Sequence, residues 1–401
     1  MVIRYLLADA LSLFGNAVAG VALPWLVLVR TGDAAAAGLI AAAAALPMLL
    51  AAVVGGGVVD RFGRRRISVG ADLASAAAIA ALPLVDAWTG LTLGWFIVLG
   101  VAGSLFDVPG MTAREALAPD VAAAAGVPLE RLAGLREGIG GVVLIVGPAV
   151  AGGLLALLDP VTVLWATVAC SALAAAVTAT LPAGVGAATG RSGFLEMGPA
   201  WSVLRGDRLL LTITLVSVGA VAVIAPLQGL LLPVHLVALD SPGVLGLVIT
   251  AIAVGGIGGA SAYAAVGAKV SRRATFVLAL LTTTAGMVVL ALLPPTPLLL
   301  GAAVLVGLGM GPLSAITTVL LGERIPERVR GRVMGLQNAA VLAVAPVGML
   351  GAGLLVEGIG VRPTGMLVAG LWLLVVVATL LAPALRALEP AMEVVADADD
   401  R

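Results

Sequence analysis

The sequence holds one cysteine, Cys170, and one histidine, His235. That excludes an internal disulfide framework and any metal centre built from several Cys or His ligands. Charge is also scarce: 11% of the 401 residues are Asp, Glu, Lys or Arg, against roughly 25% in ordinary soluble domains. The 22 bases and 22 acids cancel, so there is no basic surplus to bind a nucleic acid. No Gly-x4-Gly-Lys-[Ser/Thr] loop is present to cradle ATP. What fills the chain instead is apolar: 61% hydrophobic residues and a mean hydropathy of +1.17. One water-solvated core cannot hide so much apolar surface, so lipid must be the main solvent.

A bilayer core about 30 Å thick asks for roughly 20 apolar residues per helix. Twelve such runs can be read: Leu6–Val29, Ala35–Val59, Ile67–Val85, Leu91–Val108, Leu132–Leu158, Val161–Leu181, Leu209–Leu232, Gly243–Val266, Ala274–Leu293, Leu298–Leu321, Val333–Val356 and Thr364–Leu385. They are expected to be helices, because lipid offers no partner to unpaired backbone groups, and they lack the alternation of a barrel strand. No cleavable leader is expected; only Arg4 precedes the first run. With the N-terminus in the cytoplasm, 20 bases fall on or near that side and only Arg30 and Arg362 fall outside. An even number of crossings returns the C-terminus to the cytoplasm.

The longest polar interruption, residues 183–208, reads as a cytoplasmic linker between a six-helix bundle over 1–182 and another over 209–385. The acidic tail, 386–401, is expected to be disordered. The halves repeat weakly: Arg61, Arg64 and Arg65 after the second run superpose on Lys269, Arg272 and Arg273 after the eighth. Two parallel six-span repeats form one large transporter architecture, with the substrate site between them near the midplane.

The loop Gly56-x3-Asp60-Arg61-Phe62-Gly63-Arg64-Arg65-Arg66 resembles the signature loop of the major facilitator superfamily. Ser12-Leu13-Phe14-Gly15-Asn16, Leu46-Pro47 and Arg330-Gly331-Arg332-Val333-Met334-Gly335 resemble its drug-efflux branch, which includes macrolide and enterobactin exporters. The resemblance covers about residues 4–385. It implies an all-α membrane protein, twelve transmembrane helices in two pseudo-symmetric bundles. It further implies that Asp60 and Arg64 join an acid of the fourth helix, taken as Asp107, in a latch with Gly56, Arg61 and Gly63 that holds the outward-facing state. The residues have a reading of their own. The arginines fix topology, Gly63 permits a sharp turn, and Gly56 permits close helix approach.

The fifth run carries Gly134-x8-Val143-x3-Gly147-Pro148-x2-Ala151-Gly152, similar to the family's antiporter motif except at Val143 and Ala151. Pro148 is expected to bend the helix, and the small residues to pack it closely; packing alone is the plainer account. Acids inside spans are costly and point to function. Asp72 is the first proton-coupling candidate, because Ser75 stands where the family often has a pairing arginine; Asp9 and Glu137 follow. Cavity candidates are Asn16, Trp25, Gln228, Ser314 and Thr317, uncharged polar groups and an aromatic in a pathway with few charges, which suits a lipophilic or weakly polar solute.

The expectation is a non-enzymatic secondary transporter of a bacterial plasma membrane. It exports a small lipophilic compound (drug, antibiotic or siderophore-like metabolite) by proton antiport with alternating access. The chain needs no cofactor, binds no metal or nucleic acid, and acts as a monomer with solute, protons and lipid as partners. Facilitated uptake, symport by the same fold, or a non-transporting scaffold remain as alternatives.

Overall fold

The computed structural model describes residues 1–182, 184–187, 198–325 and 327–388, and among them every regular element is helical. The first six helices are α1 (Val2–Thr31), α2 (Ala34–Phe62), α3 (Arg64–Thr89), α4 (Leu93–Ala125), α5 (Leu129–Leu157) and α6 (Pro160–Ala179). A short α7 (Gly198–Gly206) lies within the stretch read as a linker. Then come α8 (Arg208–Pro226), a π-turn (Leu227–Leu231), α9 (Leu232–Val237), α10 (Pro242–Val266), α11 (Arg272–Ala291), α12 (Thr296–Arg324), α13 (Glu327–Ile359) and α14 (Val361–Leu381). Among the described residues, eleven helices are long and apolar enough to cross a membrane; α2 adds a shorter apolar stretch, Ala34–Leu49. The acidic tail from residue 389 lies outside the described residues.

Local chemistry sets the helix ends. Asp33, Asp159 and Asp207 accept N–H bonds from Ala36, Val161 and Leu209, and Ser271 accepts one from Ala274. Each satisfies donors that the first turn leaves unpaired. Gly63 ends α2 and starts α3 at φ 89, a conformation that a side chain would strain, as the sharp turn required. Gly186 has φ 72 and sits against Leu117 and the start of α3, tucking residues 184–187 under the first half. Val185 beside it is buried with Tyr5, Leu117, Val121 and Leu132.

Large apolar side chains remain on the outside, among them Trp88, Leu157 and Leu381, each at least 77% exposed. A water-facing surface does not carry such groups in number; a lipid-facing one does. Lipid gives no hydrophobic drive for helices to associate, so the contacts rely on small residues and polar bonds. In the second half, a Cβ on Gly307 would lie 2.1 Å from the Ile252 carbonyl, and one on Gly311 2.3 Å from that of Gly256. Gly286 and Gly309 likewise admit the backbones of Ala302 and Ala279, so α10, α11 and α12 are locked backbone to backbone.

The two halves meet along α5–α10 and α2–α13. Gly246 of α10 lies against Pro148 and Gly152 of α5, and Thr250 Oγ1 donates to the Ile145 carbonyl at 2.8 Å. Gly38 of α2 abuts Met349 of α13, and Gly353 abuts Ala34. These approaches lie between the helix centres and the end opposite the arginine loop. Pro148 and Gly152 thus lie at the close approach of α5 to α10, and Gly147 packs on Ala17 of α1. Gly134 faces open space and takes no part in the close approach.

Candidate functional site

The first half contains a buried network of charge. Arg114 of α4 pairs with Asp72 of α3 and donates to the Ala8 carbonyl at 2.7 Å and to Ser68 Oγ at 3.3 Å. Ser12 Oγ donates to the other Asp72 oxygen at 3.2 Å. Asp9 of α1 accepts from Arg136 Nε at 3.0 Å, while its second oxygen lies 4.0 Å from Arg114 Nε. Arg136 also lies 3.6 Å from Glu115, which is more exposed. Tyr5 closes the network by donating its hydroxyl proton to the Arg114 carbonyl at 3.1 Å. A charge taken out of water persists only when paired and hydrogen-bonded in this way.

A cavity opens beside the network, its lining including Asp9, Ser12, Asn16, Asp72, Asp107 and Arg114, with Leu13, Phe106, Met111 and Arg136 also in its wall. Asp107 stands two helical turns before Arg114 on α4, exposed into this cavity, and makes no ion pair or hydrogen bond among the described residues. The lining holds three carboxylates and two guanidiniums. Asp72 and Asp9 are answered by arginines; Asp107 is the acid left over.

Several expectations change here. Asp72 is not partnerless: its arginine comes from α4 rather than from three residues along its own helix. Asp107 is not the acid that meets Arg64. At 1.5 Å per residue, Asp107 lies about 21 Å along α4 from Leu93, within the bilayer's reach, whereas Asp120 lies about 40 Å along. Asp120 is the acid that Arg64 meets, at 2.7 Å. Arg65 and Arg4 donate to the carbonyls of Ala179 and Thr180, where cations complement the C-terminal dipole of α6. Arg61 leans over the Phe62 ring. Gly56 and Asp60 lie outside the residues whose side chains are described, as do Arg330 to Arg332.

Asn16 lines the cavity, as expected. Trp25 does not: it is 3% exposed and packed in the main apolar core. Gln228 sits in the π-turn, and Ser314 and Thr317 lie on α12, so none of the three lines this cavity. Glu137 is exposed and also outside the lining; its neighbour Arg136 is the residue that points inward.

In the sequence Arg114 counts only as one of the bases near the cytoplasm. The signal for its role was in the sequence, because Asp107 and Arg114 are seven residues apart and share a helix face. The apolar run ends at Val108, whereas α4 continues to Ala125 and carries both residues on one helix.

The family model described as Major Facilitator Superfamily matches residues 5–239 and 227–399. The chain is 36% identical over 379 residues to the multidrug efflux pump Tap of Mycobacterium tuberculosis, covering 91% of this chain and 89% of that protein. It is 25% identical over 381 residues to macrolide efflux protein A of Streptococcus pyogenes, covering 88% and 89%. The crystal structure of the nucleoside transporter NupG superposes with a TM-score of 0.76 over 94% of this chain and 98% of that one. Its 12% identity makes this a likeness of fold alone.

Proposed function

From the premise that the chain belongs to the Major Facilitator Superfamily, we propose that it exports small lipophilic, drug-like compounds across a bacterial plasma membrane in exchange for protons. Its relatives named for multidrug and macrolide efflux support the cargo class. The observation that carries proton exchange is Asp107, a membrane-embedded acid on a cavity wall whose other carboxylates are already neutralised.

In this reading α2 counts as a crossing, giving twelve. Residues 1–182 and 209–385 are two bundles joined by 183–208. The arginine-loop end, both termini and the tail lie in the cytoplasm, and one copy of the chain suffices. The described conformation is then the one closed toward the outside, with Gly246 seated on Pro148 and Gly152. Asp107 gives up its proton to the cytoplasm, a compound enters the cavity among Phe106, Met111 and Leu13, and the bundles rock. A proton arriving from outside returns to Asp107 as the compound leaves. Asp72 and Asp9 hold Arg114 and Arg136 in place throughout. The loop from Gly56 to Arg66 forms the latch of the opposite conformation, while the Arg64–Asp120 pair, already made in this one, fixes α3 to α4.

Everted vesicles carrying the chain test this with ethidium as the probe. Accumulation driven by an inside-acidic gradient, and lost in Asp107→Asn, is the expected result. Accumulation indifferent to the gradient excludes proton exchange, and movement only in the other direction replaces export with uptake.

A further inference from the structure

The short helix α7 has no task in the proposed cycle, and its two faces differ. Leu204 is buried with Leu210 of α8, Ile325 and Val333 of α13, and Val203, Leu321 and Leu336 pack beside them. This apolar face seats α7 across the arginine-loop ends of α8, α12 and α13. Trp201 stays 45% exposed, and the Arg205 guanidinium lies over its ring at 4.5 Å. Residues four apart are neighbours on a helix surface, so the pair marks the outer face. Arg208, the first residue of α8, is exposed as well.

Both bases are unanswered. The acid between them, Asp207, accepts N–H bonds from Leu209 and Leu210 and pairs with Arg324 at 3.0 Å. Glu323, at the end of α12, takes Arg272. Neither Arg205 nor Arg208 makes an ion pair among the described residues. An indole with one apolar face and a polar edge suits the zone where hydrocarbon meets headgroups. Arg208 sets the depth, because it opens a helix long and apolar enough to cross a membrane.

We propose that Trp201, Arg205 and Arg208 form a docking site for the headgroup of an anionic phospholipid. The phosphate accepts from the two guanidiniums, and the indole lies against the glycerol and the upper acyl carbons. Charge selects the occupant. Two unanswered cations beside an apolar ring match an anion that carries its own hydrocarbon. A soluble anion leaves the ring unused, and a zwitterionic lipid brings a cation of its own. A headgroup held there pins α7, and through Leu204 the ends of α8, α12 and α13, to one leaflet. The site rests on the membrane placement proposed above, which makes that leaflet the cytoplasmic one.

The test attaches bimane at Gly206→Cys, where an added side chain meets open space, in a Cys170→Ala chain. Nanodiscs hold equal shares of phosphatidylcholine and phosphatidylglycerol, one or the other brominated near the headgroup end of its acyl chains. Quenching then reports which lipid sits beside α7. A preference for phosphatidylglycerol of about tenfold is expected, each base adding severalfold. Arg205→Gln with Arg208→Gln is expected to abolish it. Arg131→Gln, which removes an exposed base from the same end of the first half, is expected to leave it unchanged. No preference in the parent, or an undiminished one in the double variant, overturns the site. An equal fall in Arg131→Gln replaces the site with the field of a basic surface. Inorganic phosphate at matched ionic strength is expected not to displace the lipid; displacement assigns the two arginines to a soluble anion instead. Nanodiscs expose both faces, so this outcome does not depend on which face is cytoplasmic. Protection of the same bimane from a membrane-impermeant quencher in right-side-out vesicles tests that placement separately, and access there overturns the placement while leaving the site.

Discussion

The two halves of this molecule share a frame and differ in what they bury. At the arginine-loop end they match. Arg64, at the start of α3, meets Asp120 of α4, and Arg272, at the start of α11, meets Glu323 of α12 through two bonds of 2.8 and 2.9 Å. Deeper in, the likeness stops. The register that sets Arg64 on Arg272 sets Asp72 on Leu280, which is fully buried. Where the first half has arginines and carboxylates, the second has glycines admitting backbones, and neutral bonds such as Trp372 to Thr284 at 3.0 Å and Gln337 to Thr214. The repeat thus preserves what holds helix ends and lets diverge what handles charge. In the proposed cycle one half carries the proton chemistry, and the other is a stiff body for it to move against.

The sharpest way to break this contrast is Arg114→Ala. It leaves Asp72 buried without its partner, and such a loss costs about 3–5 kcal/mol. A collapse of thermal stability in detergent together with transport is expected; an unchanged melting midpoint would show that the first half does not rest on its charges. Asp107→Asn should do the reverse. With no partner to lose, stability should hold within about 0.5 kcal/mol, while flux driven by a pH gradient falls about a hundredfold, as for loss of a proton-transfer group. Vesicle flux and calorimetry on the same preparation decide it.

Gly246→Val addresses the seam between the halves. Its Cβ would lie 2.2 Å from the Pro148 carbonyl, so overpacking should cost the closed conformation about 1–3 kcal/mol, roughly tenfold in population. Labelling of an outer cysteine should rise accordingly. Asp207→Ala is a smaller change, confined to the second half. Burial opposes ionisation of Asp207, but bonds from Arg324 and the N–H groups of Leu209 and Leu210 outweigh it and hold the group below the usual range. Its stabilisation is therefore full above the unfolded-state value and disappears as pH falls through the folded one. Removing this cap should cost about 1 kcal/mol near neutrality and nothing in strong acid. Smallest are Arg64→Gln and Arg272→Gln, each about 0.5 kcal/mol or less, as part-exposed pairs. If the ends match in packing alone, both leave transport equal; if Arg64 also serves the latch, only Arg64→Gln slows it.

Much of the frame was legible in the chain. The apolar runs, their bounding arginines, the turn at Gly63 and the small-residue face at Gly147, Pro148 and Gly152 each reflect a local rule, and each has its counterpart in the structure. The site was legible only in its ingredients. Asp9, Asp72 and Asp107 stand out in the sequence as acids in lipid, but the pairing is the reverse of that expected: Asp72 is paired, and Asp107 is free of partners among the described residues. Run-counting also stopped α4 at its first charge, and so took Asp107 for a helix end and passed over Asp120. A helix does not stop where lipid stops.

Residue type and spacing settled by themselves that this chain dissolves in lipid, that its backbone is helical, and which end carries the bases, because each follows from solvation and from bonds within one segment. Which guanidinium answers which carboxylate and which glycine admits which backbone depend on how separate helices are rotated against one another. Several rotations bury the same apolar area, and only the packed molecule selects one.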